Sequence, residues 1–292
     1  MSGPDAVDEA AFAAEFARLR PDLHRYCARL MGSVLDGEDV VQDTFARALV
    51  AWRGLAAPPE LRPWLFRIAH NRALDLLRAR AVRTAEPIEA AEDLADPEAE
   101  TADEALMRRE AVGAAVSRFA ALPVTQRGVV ILKDVLDQSL REIADLLDLT
   151  VDAVKAHLAR GRARLKAAMP DAAIVSPASP LVARYAALFN ARDWDALRAL
   201  LVDDVRLEQS AFAPRVGAAD VGMFFGTYAR LEPVFVAPAW LEGREVLAVF
   251  AAPGDPDPLY VMRLDWRDGK IAFIRDYRYV RYVMDGAEVR LV

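Results

Sequence analysis

Apolar residues recur through the first part of the chain with the three-to-four spacing of helix faces, and strand-like alternation is scarce before residue 180. Val40, Val41, Phe45, Ala48, Leu49 and Trp52 line one side of a helix opened by Asp36 and Glu38, acids suited to a helix start. A loop rich in Pro and Ala, from Gly54 to Pro63, leads into RPWLFRIAHNRALDLLRARAVR. Trp64, Leu65, Ile68, Ala69, Leu76 and Leu77 turn inward there, while Arg67, Asn71, Asp75 and Arg78 fall on the opposite face. A second helical series starts at Leu122-Pro123, with Pro123 in the first turn, where its missing N–H costs nothing. Ser139 and Glu142 form a capping box ahead of Ile143, Ala144, Leu146 and Leu147; Asp148-Leu149 make a tight turn, and Thr150 is the N-cap of VDAVKAHLARGRARLKAAM. This is helix–turn–helix spacing. In its last helix Val154, Leu158, Gly161 and Leu165 share one face, and Asp152, Lys155, Ala156, Ala159, Arg160 and Ala163 the other.

Beyond residue 180 the period changes. The pattern predicts a helix, a short helix and a strand up to Ser210, then a helix over Ala218–Arg230. Val234–Leu241, Glu245–Ala252, Leu259–Trp266 and Lys270–Val283 follow as strands, with turn signals at Gly243, Pro253-Gly254, Asp268-Gly269 and Asp285-Gly286. These predict an antiparallel sheet.

Two breaks divide the chain. TAEPIEAAEDLADPEAETADEA, from Thr84 to Ala105, is acidic and poor in large apolar residues, as a solvated linker is. MPDAAIVSPASP, from Met169 to Pro180, carries three prolines. The expected organisation is a helical domain over 1–83, an acidic linker 84–104, a helix–turn–helix domain 105–170, a short linker 171–179 and an α+β domain 180–292.

The net charge of −7 argues against a nucleic-acid partner until it is located. Residues 81–110 hold three Arg against ten acids, which is the whole imbalance; residues 1–80 are neutral and residues 111–170 carry +3. Mean hydropathy is +0.10, no apolar run is long enough to span a bilayer, and the amino terminus is acidic where a signal peptide is basic, so a cytoplasmic protein is expected. The single cysteine, Cys27, excludes an internal disulfide, and His24, His70 and His157 are too far apart for a local metal site. No cofactor is called for.

Two readings fit the basic faces before the letters are compared: charged, solvated helix surfaces over a core that holds the tryptophan, or recognition of DNA. Arg67, Asn71, Arg72 and Arg78 beside Trp64 combine guanidinium groups for phosphates with flat rings for unstacked bases. Five positive side chains and no acid lie between Lys155 and Lys166 (Lys155, Arg160, Arg162, Arg164, Lys166), as a helix in a major groove requires.

The letters carry a resemblance. GEDVVQDTFARALVAWRG and RPWLFRIAHNRALDLLRAR resemble the second conserved region of the extracytoplasmic-function (ECF) class of bacterial RNA polymerase sigma factors. Leu122-Pro123, Arg127, Glu142-Ile143-Ala144, Leu147, Val154-Lys155, Leu158, Arg160, Arg162 and Leu165 resemble the fourth region, with Asp148 in place of the turn glycine. The resemblance implies two all-α domains: a region 2 bundle and a region 4 helix–turn–helix. Its implied partners are core RNA polymerase, through the β′ clamp and β flap, and promoter DNA. Asp39, Val40, Gln42, Asp43 and Phe45 would meet the clamp. Trp64, Arg67, His70, Asn71, Arg72 and Arg78 would open the minus-ten element, and Thr150, Lys155, His157, Arg160 and Arg164 would read the minus-thirty-five element.

The last hundred residues resemble the SnoaL-like, nuclear-transport-factor-2-like superfamily through the opening "Y..LFN..D...L..LL.DDV.L" and Trp266, Gly269, Ile271, Ile274, Asp276 and Arg278. An α+β cone is implied, regulating the sigma domains or holding a small ligand, with Tyr185, Trp194, Asp204, Tyr228, Tyr260 and Asp276 as pocket candidates. Two other functions stay open: a polymerase-independent helix–turn–helix regulator, and isomerase or hydrolase activity in the cone.

Overall fold

The computed structural model describes residues 9–55, 57–84, 111–168, 176–210, 212–230 and 233–292. Almost all of the acidic stretch 84–104, and 171–175 of the second linker, lie outside them. The chain forms two compact units, Met1–Asp171 and Ala172–Val292, so that both helical pieces fall in the first.

The first unit holds α1 (Glu9–Met31), α2 (Val34–Trp52), α3 (Leu61–Thr84), a 3-10 turn (Val116–Ala121), α4 (Val124–Val130), a π-helical turn (Ile131–Val135), α5 (Leu140–Leu147) and α6 (Val151–Ala167). Between α1 and α2, Gly32 takes the left-handed conformation (φ 71°) that ends one helix, and Ser33 caps the next through Asp36 N–H. The two helices meet backbone to backbone, for a Cβ on Gly37 would lie 2.4 Å from both the α-carbon and the nitrogen of Ala28. Asp36 lies in the first turn of α2, as the sequence predicts, and Glu38 in the next. Both are buried, Glu38 against Arg20 of α1 (2.5 Å) and Asp36 against Arg80 of α3 (2.9 Å), so they tie three helices together.

One continuous apolar core runs from Phe12, Phe16, Leu19 and Leu23 of α1 through Leu65 and Phe66 of α3 to Val129, Val130, Ile143, Val154 and Leu165. Arg127 crosses this core and donates to three backbone carbonyls, Leu30 O (2.5 Å), Ala120 O (2.9 Å) and Leu122 O (2.9 Å). Burial lowers its pKa to about 10, which leaves it charged. The capping box is present: Ser139 N–H donates to Glu142 Oε2 at 2.8 Å and Glu142 N–H to Ser139 Oγ at 3.2 Å. Pro123 sits at the N-cap of α4, one position before its expected place.

The second unit holds α7 (Pro180–Asn190), α8 (Trp194–Ala199), β1 (Leu201–Gln209), β2 (Arg215–Val216), α9 (Ala218–Arg230), β3 (Phe235–Leu241), β4 (Arg244–Phe250), β5 (Tyr260–Arg267), β6 (Lys270–Asp276), a 3-10 turn (Arg281–Met284) and β7 (Val289–Leu291). The sheet order is β2-β1-β6-β5-β4-β3-β7. It departs from the expected antiparallel sheet at one seam: β1 runs parallel to β6, pairing Leu207 with Ile274 and Gln209 with Asp276. Hairpins at Glu242-Gly243 and Asp268-Gly269 have positive φ at both positions, the turn whose twist matches the strands. The last predicted strand stops at Asp276, not Val283. Tyr185 and Phe189 of α7 and Phe224, Phe225 and Tyr228 of α9 cover one face of the sheet and fill it, against Leu207, Val249, Met262 and Ile274. Helices over a mixed sheet with one covered face give the expected α+β class.

Candidate nucleic-acid and polymerase interfaces

On α3, Arg67, Asn71, Asp75 and Arg78 are exposed along one row, as their spacing predicts. Arg67 Nη2 donates to Asp145 O of α5 at 2.9 Å, and Arg72 is held by Asp43 of α2 at 2.6 Å. Trp64 is half-buried, 6.1 Å from Trp52 between ring centroids. His70 is half-buried and faces α1. Its Nδ1 lies 2.7 Å from Tyr26 Oη, and burial, with Arg78 nearby, pushes its pKa down to about 4. A neutral imidazole held by a core phenol cannot offer charge to a phosphate at neutral pH.

On α2, Asp39, Gln42, Asp43 and Phe45 are half-buried, but Val40 is fully buried. Because α2 packs against both α1 and α3, a second stripe of it is covered, and Val40 belongs to the core and not to a partner face. Phe45 also leans inward, 4.8 Å from Phe16.

The helix–turn–helix forms through local geometry. Asp148 takes the left-handed conformation (φ 57°, ψ 49°) that the usual glycine would supply, and Thr150 Oγ1 accepts from Ala153 N–H at 3.1 Å. Along α6, Lys155, Ala159, Ala163 and Lys166 are exposed and Arg160 and Arg164 half-buried. Three residues read as outward face inward instead: Ala156 at 2%, His157 at 8% and Arg162 at 3% exposure. The cause is tertiary, since α4, α5 and the 3-10 turn all pack on α6 and cover more than one stripe. Burial also lowers the His157 pKa, Arg160 adding to the effect.

In the second unit Asp276, Tyr228, Tyr260 and Tyr185 come together. Tyr228 Oη lies 2.8 Å from Tyr260 Oη and donates to Asp276 Oδ2 at 3.4 Å. Two groups the sequence reading missed complete the cluster: Gln209 Nε2 donates to Asp276 Oδ2 at 2.8 Å and Arg278 N–H to Oδ1 at 3.1 Å. Gln209 continues the inward alternation of Val205 and Leu207, a signal the strand pattern did contain. Burial raises the Asp276 pKa to about 6, and it raises the phenol of Tyr185 as well, with the Asp276 charge adding to it. Tyr185 Oη is buried without a hydrogen-bond partner. Asp204 does not belong here; it is exposed and paired with Arg267 on the strand surface. Trp194 packs edge-on against Phe189 at 5.3 Å. The cavity beside Gln209, Tyr228 and Arg278 measures ≈ 30 Å³, room for about one water. Larger hollows of ≈ 590 and ≈ 510 Å³ are open grooves on the outer side of α9, lined by neither Asp276 nor Tyr260.

Among the described residues no group of three or more His, Cys, Asp or Glu is placed to hold a metal, and no helix is long and apolar enough to cross a membrane. A capped helix–turn–helix with basic residues on its second helix, packed with a second bundle that bears an arginine face, defines a DNA-binding protein.

Comparison with known proteins narrows this class. Sigma-70 region 2 matches residues 16–83 and Sigma-70, region 4 matches residues 114–165. The chain is 32% identical to the ECF RNA polymerase sigma factor SigG of Mycobacterium tuberculosis, over 90% of this chain and 77% of that protein. It is 30% identical to the ECF RNA polymerase sigma factor SigW of Bacillus subtilis, over 56% of this chain and 91% of the relative. The crystal structure of the Mycobacterium tuberculosis extracytoplasmic function sigma factor SigJ covers 94% of this chain and 98% of its own, at 22% identity and a TM-score of 0.37. The chain belongs to the ECF sigma factors, which bind core RNA polymerase and bring it to promoter DNA.

Proposed function

We propose that α2 meets the polymerase β′ clamp, that α3 captures and opens the minus-ten element, and that α6 reads the minus-thirty-five element while its domain touches the β flap. The observation that carries this reading is the outward row Lys155, Ala159, Ala163 and Lys166 on a capped recognition helix, in one unit with the outward row Arg67, Asn71 and Arg78. Small and basic side chains let a helix approach base edges while neutralising phosphates. On α2 the contact set reduces to Asp39, Gln42 and Asp43, whose polar ends stay half-exposed. On α3, Arg67, Asn71, Arg72 and Arg78 make the DNA contacts, with the half-buried Trp64 offering its ring for stacking worth roughly 1–3 kcal/mol per base. The second unit tunes promoter output. The protein works in the cytoplasm beside the polymerase and acts by binding, without a reaction of its own.

Run-off transcription with purified core polymerase tests the reading. Promoter-specific transcripts are expected, lost in Asn71→Ala with Arg78→Ala; no transcript from any genomic fragment overturns it. A polymerase-independent regulator would bind DNA equally well after Gln42→Ala with Asp43→Ala, whereas the present reading expects capture of core polymerase to fail. Truncation before Ser179 is expected to change transcript yield, and an unchanged yield removes the regulatory role. Among the described residues, the Asp276–Tyr228–Tyr260 cluster is the arrangement that favours an enzyme in the cone. The ≈ 30 Å³ cavity beside Tyr228, room for about one water, is lined by neither Asp276 nor Tyr260.

A further inference from the structure

Arg162 stands where the charge pattern suggests a phosphate contact, yet its side chain is 2% exposed and meets the Asp134 carboxylate, itself 0% exposed. The pair is bidentate: Nε to Oδ2 is 2.9 Å and Nη2 to Oδ1 is 2.6 Å. Asp134 lies in the π-helical turn after α4, where Leu136 N–H reaches Ile131 O at 3.0 Å. The extra residue of such a turn swings the side chains that follow it by roughly a quarter turn about the axis, and here an acid faces the recognition helix. Beside Arg162, a Cβ on Gly161 would lie 2.6 Å from Val130 Cγ2 and 3.2 Å from Gln126 O, so α6 rests almost directly on α4.

Apolar packing from α4, α5 and the 3-10 turn limits how far α6 can roll, but such contacts are non-directional and the close approach at Gly161 has no side chain to fix an angle. A planar guanidinium–carboxylate fork narrows the remaining range, because both bonds hold only in one orientation. The outer side chains of a helix stand about 5–6 Å from its axis, so a roll of about 20° displaces them by about 2 Å. That exceeds the tolerance of a base-edge hydrogen bond. Replacing a buried ion pair by apolar groups is often neutral for stability, which directs attention to its geometric effect.

The structure assigns Asp134 and Arg162 a positioning role in promoter selectivity: without touching DNA, the pair fixes the roll of α6 and so decides which bases its outward row can read. The assignment rests on α6 being the base-reading helix. The test uses full-length protein with core polymerase and run-off from a wild-type promoter and from templates carrying single-base changes in the upstream element. Two variants are compared, the apolar pair Asp134→Leu with Arg162→Met, and Arg162→Lys, which keeps the charge and loses the fork. Both are expected to transcribe, with discrimination between cognate and altered templates reduced about tenfold, the scale of one base contact. Lys155→Ala, a phosphate-type change, is expected to lower all templates by a common factor and flatten the salt dependence. A loss of folded protein would likewise scale every template equally and leave the ratio alone. Wild-type discrimination in both variants overturns the positioning role. Absence of promoter-specific transcripts with the wild-type protein overturns the sigma reading instead.

Discussion

Asp276→Asn is expected to stabilise the protein at neutral pH and not at acidic pH. Asp276 is fully buried at the end of β6, surrounded by Gln209 of β1, Tyr228 of α9, Tyr260 of β5, Tyr185 of α7 and the Arg278 backbone, with the Arg278 guanidinium 5.2 Å from the Tyr228 ring. Burial outweighs the hydrogen bonds it accepts and lifts its pKa from 3.8 to about 6. The buried phenols are raised as well and stay neutral throughout. A carboxyl whose native pKa exceeds its unfolded value favours folding below pH ~4, loses that contribution as pH rises through ~6, and above this carries the whole cost of a buried charge. At 1.36 kcal/mol per unit the cost is about 3 kcal/mol, or about 10 °C in melting temperature for a unit of this size. Calorimetric melting of full-length wild type and Asp276→Asn between pH 4.5 and 8 isolates this group, since every other titration is common to both. The variant should gain most above pH 7 and converge with wild type toward pH 4.5. A difference that is constant with pH, or that grows on acidification, refutes the reasoning.

Gly37→Ala places a Cβ 2.4 Å from two backbone atoms of Ala28, which cannot step aside, so we expect a loss of about 3 kcal/mol or more in urea unfolding. Asp148→Gly relieves the left-handed backbone at φ 57° and should be neutral to stabilising by up to about 1 kcal/mol, which a clear loss of melting temperature would contradict. Ser139→Ala removes the hydroxyl of the capping box and should cost about 1 kcal/mol in the same measurement.

Much of the helix–turn–helix was legible in the chain because its causes are local. Ser139 and Glu142 satisfy each other three residues apart, Thr150 caps the helix it precedes, and an aspartate can take the left-handed turn at 148. Alternation and Asp-Gly placed the β5–β6 hairpin for the same reason. Periodicity marks one apolar stripe per helix, however, and cannot tell how many neighbours that helix will have. Val40, His70, Ala156, His157 and Arg162 read as outward or partner-facing and lie inside or against the core, because α2, α3 and α6 each meet several elements. The Asp276 cluster draws on α7, α9, β1, β5 and β6, so only chain closure, including the parallel seam between β1 and β6, brings it together. Local hydrogen bonding and backbone preference are carried by neighbouring residues and can be read from their order. Burial, ion pairing across elements and the pKa of a carboxyl depend on distances between residues far apart in the chain, and those exist only once it has folded.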